Sequence, residues 1–158
     1  MFTVAARLAT PADIPTLGDL YRELRDEMVT LKPIWALTDG LPEPVERALE
    51  SRIASPDVTV YVGEIDRVPV GFLMWFAALL LPQAGRSRMA TIEHIFTTPQ
   101  ARRVGVGEAM MSRLFEDATA GGIELFDAVV PPGHRDAKNF FESNGFKARR
   151  IVMHRGPR

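Results

Sequence analysis

The chain has 158 residues, of which 46% are apolar and 25% charged. That suits one ordinary globular domain over residues 1–158 and excludes a disordered chain. A formal net charge of −1 excludes a generic nucleic-acid binder, and the lack of cysteine excludes disulfides, thiolate metal sites and a cysteine nucleophile. The charge is uneven. Residues 1–80 hold 7 Lys and Arg against 12 Asp and Glu, a net of −5, whereas residues 81–158 hold 12 against 8, a net of +4. An anionic ligand is therefore expected to meet the second half. His94, His134 and His154 lie far apart with no metal-ligand spacing, so no metal is expected. The longest apolar run, residues 70–81, is too short to span a bilayer and sits between Pro69 and Pro82. With no signal-peptide pattern at the start, the expected location is cytoplasmic, without a membrane partner.

In chain order, residues 2–8 read as a first strand. Thr10, Pro11 and Asp13 form a helix-start pattern, and Ile14, Leu17, Tyr21, Leu24 and Met28 recur at helical spacing behind it. Residues 31–44 hold three prolines and a glycine and predict a loop or broken helix; residues 44–55 predict a second helix. Residues 57–65 and the apolar run after "DRVP" predict an antiparallel hairpin, and residues 89–98 a further strand. "GEAMMSRLFEDATAGG" predicts a helix with Met111, Leu114, Phe115 and Ala118 on one stripe, stopped by Gly121 and Gly122. Residues 123–130 predict a strand, residues 134–145 a short helix, and residues 146–155 a last strand.

"ARRVGVGEAM", residues 101–110, joins the strand at 89–98 to the helix behind it. The first N–H groups of a helix have no partner within it, and the helix dipole adds partial positive charge there. Such a terminus suits an anion, most often phosphate. Gly105 and Gly107 allow close backbone approach, and Arg102 and Arg103 can add charge-assisted hydrogen bonds. The stretch is not a P-loop, because Gly107 is followed by Glu108 rather than Lys. It is not a dinucleotide fingerprint either, since Met110 stands where the third glycine belongs and "PQARRV" separates strand from glycine.

The wider string "IEHIFTTPQARRVGVGEAMM", residues 92–111, resembles the acetyl-CoA-binding segment of the GCN5-related N-acetyltransferases, the GNAT superfamily. That pattern is a strand, a proline, then (Q/R)-x-x-G-x-(G/A) opening a helix; Arg102, Gly105 and Gly107 fill its positions. Downstream, "AKNFFESNGF" resembles the family's A-x-x-F-Y-x-x-x-G-F segment at Ala137, Phe140, Gly145 and Phe146. The resemblance runs over nearly the whole chain. It implies an α/β (α+β) GNAT fold: a mixed, mostly antiparallel twisted sheet, helices on both faces, splayed between the fourth and fifth strands.

It further implies a transfer of acetyl from acetyl-CoA to a primary amine of a small molecule or protein, by direct attack in a ternary complex. Backbone groups of Ile95, Phe96 and Thr97 would pair with the pantetheine arm. N–H groups of Arg103, Val104, Gly105, Val106, Gly107 and Glu108, with the Arg102 side chain, would hold the pyrophosphate. Glu93, on the strand bordering the cleft, is the candidate general base, and His94 is expected on the opposite face of that strand. Two positions depart from the family. Phe141 stands where many members carry a tyrosine that protonates the leaving thiolate. His134 stands where an asparagine often contacts the cofactor; it would contact the cofactor or cap its helix. Trp35 and the acids Asp39, Glu43 and Glu46 lie on the expected acceptor side, and members of the family often form homodimers. The loss of the tyrosine also suits an alternative, an acyl-CoA-binding regulatory module without catalysis.

Overall fold

The computed structural model describes residues 1–158. The chain runs β1 (Val4–Leu8), α1 (Ile14–Leu31), α2 (Trp35–Thr38), α3 (Val45–Ala54), β2 (Val58–Ile65), β3 (Val68–Leu79), β4 (Arg88–Thr97), α4 (Val106–Ala120), β5 (Leu125–Ala128) and α5 (Arg135–Ser143). Short 3-10 turns at Pro11–Asp13, Pro82–Ala84 and Pro99–Ala101 precede α1, β4 and α4. The sheet order follows the sequence, β1-β2-β3-β4-β5, antiparallel except for the parallel β4–β5 pair.

Period-two alternation makes both faces of the central strands apolar. Val60 and Val62 of β2 and Phe72 and Met74 of β3 face one way, into a core built with Leu17, Tyr21, Leu24 and Leu49 of α1 and α3. Tyr61, Leu73 and Trp75 face the other way, into a core with Met110, Met111 and Leu114 of α4. Each large side chain buried in this way contributes about 1.5–3 kcal/mol. Gly63 on β2 lets α4 close down: a Cβ there would lie 2.6 Å from Val106 Cγ1 and 2.9 Å from Met110 Sδ. No helix is long and apolar enough to cross a membrane.

Most expected elements form, with two corrections. Thr10 and Asp13 close a capping box on the 3-10 turn, the Thr10 N–H donating to Asp13 Oδ2 at 2.8 Å, and α1 begins one residue later. The stretch at residues 31–44, expected as a loop or broken helix, holds a single helical turn, α2. The expected last strand is absent: residues 146–155 pair with no strand. Phe146 packs on Phe141 and Phe115, and Arg149 pairs with Asp127 of β5. Beyond them Ile151, Val152 and Met153 are exposed. Adjacent arginines followed by three adjacent apolar residues break the alternation, so the segment has no single apolar face to lay on the sheet.

Candidate active site

The site forms where β4 and β5 part. Their pairing runs from Met89↔Leu125 to Ile92↔Ala128 and stops, while β4 continues to Thr97. On the other side of β4, Thr98 donates to Val70 O at 2.8 Å. Antiparallel alternation from that bond turns the N–H and C=O of Phe96 towards β3, and those of Ile95 and Thr97 towards the gap. The Thr97 carbonyl already accepts from Arg102 Nε at 2.8 Å, whereas Ile95 presents its backbone to the opening.

A β-bulge lies in β4. His94 is opposite Met74 and Ile92 opposite Trp75, which leaves Glu93 as the extra residue. The bulge reverses the facing of the strand. Ala90 and Ile92 join the core under α4, whereas Phe96 joins the core under α1 and α3. His94 also turns to α1, its ring 5.9 Å from Tyr21 and 5.6 Å from Trp35. Glu93 turns the same way, to Arg52 of α3. This corrects the expectation that Glu93 and His94 face opposite sides: a regular strand separates neighbours, and the bulge brings them together.

Glu93 and His94 differ sharply in environment. Both oxygens of Glu93 accept from Arg52, Oε1 from Nη2 at 2.8 Å and Oε2 from Nε at 3.3 Å. His94 is buried, and its Nε2 has no hydrogen-bond partner; Glu93 Oε1, at 3.9 Å, is out of reach. Burial pushes the imidazole down to about 4, a displacement that the Glu93 charge opposes and Arg52 assists. His94 is thus a neutral imidazole at neutral pH.

At the start of α4, none of the N–H groups of Arg103–Glu108 donates to a backbone or side-chain acceptor. Arg103 at φ 66° and Gly105 at φ 100° alternate with ordinary torsions, a pattern that turns successive N–H groups to one side. A Cβ on Gly105 would have no atom within 4 Å, so the space beside it is open. Gly107 has another reason to be glycine: a Cβ there would lie 3.0 Å from Phe140 Cε1, so the bare backbone lets α5 pack against α4. Val106 is buried, while Val104 and Glu108 are exposed. Arg103 is exposed and its guanidinium makes no ion pair within the chain.

Arg102 is instead engaged. Besides Thr97 O it donates from Nη2 to Glu27 Oε2 at 2.6 Å, with its guanidinium carbon 5.4 Å from the centre of the Phe96 ring. His134 caps α5, its Nδ1 accepting from the Ala137 N–H at 3.2 Å. That fixes the tautomer, with the proton on Nε2, which lies 3.3 Å from Glu27 Oε1. Burial pushes the Glu27 carboxyl up, but the hydrogen bond and charge of Arg102 and the hydrogen bond from His134 outweigh it and leave it below the usual range.

These parts line one cavity of about 430 Å³, which reaches from Trp35 and Met28 past Glu93–Thr97 to Gly107, His134 and Phe141. Phe141, on α5, is buried. Trp35, also buried, packs against Tyr21. The acids of the expected acceptor side are spoken for: Glu46 pairs with Arg22, Glu43 with Arg25, and Asp39 accepts from the Thr38 hydroxyl. Arg52 and Glu27 escaped sequence reasoning. Each meets its partner across a long stretch of chain, and nothing local marks either.

The model of the acetyltransferase (GNAT) family matches residues 19–146. No curated protein sequence gives a significant match. Among solved structures, a transcriptional regulator from Bacillus halodurans C-125 is similar at 24% identity and TM-score 0.75, covering 96% of this chain and 99% of that one. Ribosomal-protein-alanine N-acetyltransferase from Brucella melitensis biovar Abortus 2308 is similar at 18% identity and TM-score 0.72, covering 98% and 100%. A predicted acetyltransferase with acetyl-CoA from Clostridium acetobutylicum is similar at 18% identity and TM-score 0.72, covering 98% and 96%. At these identities the likeness is one of fold. With the family model spanning most of the chain, the protein belongs to the GNAT acetyltransferase family.

Proposed function

We propose that this protein is an N-acetyltransferase that moves the acetyl group of acetyl-CoA to a primary amine by direct attack in a ternary complex. The observation that carries the reading is the run of unpaired N–H groups at Arg103–Glu108, set beside the gap between β4 and β5. Unpaired amides at a helix N-terminus favour a diphosphate, the open space at Gly105 leaves room for it, and the free Arg103 guanidinium adds charge. From there an extended pantetheine arm can add to the exposed edge at Ile95, as a strand would, with Phe96 and Thr97 shaping the groove.

The reaction needs placement more than side-chain chemistry. A neutral amine attacks the thioester carbonyl, a tetrahedral oxyanion forms, and its collapse breaks the C–S bond and releases the CoA thiolate. Fixing both reactants in one cleft supplies much of the rate. A strand N–H aimed at the developing oxyanion supplies more. Glu93 takes the amine proton, directly or through water, with Arg52 orienting its carboxylate. In this reading His134 serves the cofactor side through α5 and Glu27, and Arg102 by holding the loop to the end of β4.

Phe141, together with the clasp of Arg52 on Glu93, favours a second reading, a CoA-binding regulatory module without catalysis. One experiment separates the two. The protein is incubated with acetyl-CoA and a panel of amines, including amino acids, polyamines, aminoglycosides and peptides, and free thiol is followed. Amine-dependent thiol release supports the transferase. Acetyl-CoA binding without release from any amine overturns it in favour of the module.

A further inference from the structure

Glu27 has the least expected position in the cleft. It belongs to α1, on the layer opposite α4, yet its two carboxylate oxygens reach the two walls of the gap separately. Oε2 accepts from Arg102, which follows β4 and is fixed to it through Thr97 O. Oε1 meets His134 Nε2, and His134 follows β5 and caps α5. The His134 N–H also donates to Pro131 O at 3.2 Å, which anchors the residue to the segment leaving β5. No other side chain in the cleft is bonded to both walls. Parting strands have lost their own hydrogen bonds to each other, so something else must set their separation. A carboxylate between a guanidinium and an imidazole N–H does so with two charge-assisted bonds, and its side chain is only 28% exposed.

We infer that Glu27 is a positioning residue: by holding Arg102 and His134 at once it ties the two walls of the cleft together and sets the width into which the pantetheine arm fits. The inference rests on the proposed function above, since it presumes that acetyl-CoA occupies this cleft. Its consequence is selective. The nucleotide end of the cofactor would meet the amides of Arg103–Glu108, whose geometry comes from the start of α4 and not from Glu27. The arm would meet the width of the gap. Loss of the tie should therefore weaken ligands that carry pantetheine and spare those that do not.

The test is calorimetric titration of wild type, Glu27→Gln and Glu27→Asp with two probes, acetyl-CoA and adenosine 5′-diphosphate, beside a melting curve of each protein. Glu27→Gln should weaken acetyl-CoA by about tenfold and leave the nucleotide within about twofold, because it removes a charged acceptor and keeps the shape. Glu27→Asp keeps the charge on a shorter stem and should fall between. A variant with lower melting temperature but unchanged acetyl-CoA affinity would show a merely structural residue and overturn the inference. So would equal weakening of both probes. Wild type that binds neither probe would sink the proposed function itself, a distinct outcome.

Discussion

Arg52 and Glu93, one on α3 and one at the bulge of β4, meet side by side, with Nη2 to Oε1 at 2.8 Å and Nε to Oε2 at 3.3 Å. A carboxylate has about four lone-pair sites, so this clasp leaves capacity for a substrate proton while fixing where it is received. Glu93→Gln keeps the shape and removes the proton acceptor. With the best amine from the panel it should lower kcat by about a hundredfold and leave the KM for acetyl-CoA within about twofold. Arg52→Met keeps most of the stem and removes the clasp; its kcat should fall by about tenfold. Steady-state kinetics with both substrates varied checks the pair. Full turnover in Glu93→Gln would place the base elsewhere.

Gly105 tests the other end of the cleft. Its φ of 100° suits glycine, and nothing lies within 4 Å of an added Cβ. Gly105→Asp adds a negative charge beside the unpaired amides and strains the backbone by about 1–3 kcal/mol. Acetyl-CoA affinity should fall by at least about a hundredfold, while the circular dichroism of the fold persists. Wild type should gain about 2.7 kcal/mol of apparent stability at a hundredfold excess of acetyl-CoA over Kd, and the variant almost none under the same conditions. Unchanged affinity would mean that the phosphates bind elsewhere.

What the sequence revealed and what it concealed divide by range. The α1 stripe was readable because Leu17, Tyr21, Leu24 and Met28 repeat at helical spacing, and all four are buried. The glycine-rich start of α4 was readable because chain-local chemistry makes it. The bulge at Glu93 was not, since it depends on how β4 counts against Met74 and Trp75 of β3. Nor was the tie between Glu27 and Arg102, which lie 75 residues apart in sequence. Gly107 was legible as a glycine in a phosphate-loop pattern, but its contact with Phe140 needed α5 to be in place.

Phe141 bears on the leaving group. It lines the cleft, 5% exposed, with its ring 5.5 Å from Phe140 and 5.3 Å from Phe146. It has no proton to give, and an ordinary thiol is acidic enough to leave as thiolate at neutral pH without one. Phe141→Tyr should therefore leave kcat within about twofold, at a stability cost of about 1–3 kcal/mol if the hydroxyl finds no partner. Stopped-flow measurement of thiol release with a saturating amine reads the step. A large gain in rate would show that catalysis lacks an acid at this position.

His94 gives the fold a pH dependence whose sign is fixed by its burial. Its imidazole titrates at about 4 in the folded protein, against an ordinary value of 6.5. Between these values the unfolded chain binds a proton that the folded protein refuses, so stability falls as pH drops from about 6.5 to about 4 and then levels for this residue. The full displacement corresponds to roughly 3 kcal/mol. Carboxylates held low by arginines lose their contribution further down: Asp13, bonded to Arg7, titrates at about 2, so its stabilisation fades as pH falls from its ordinary 3.8 towards that value. His94→Phe replaces the imidazole with a ring that does not titrate, next to Tyr21 and Trp35. Urea unfolding at pH 7 and pH 4.5 should show a clearly smaller loss on acidification for His94→Phe than for wild type. Equal losses in the two proteins would mean that the buried imidazole does not carry the acid sensitivity.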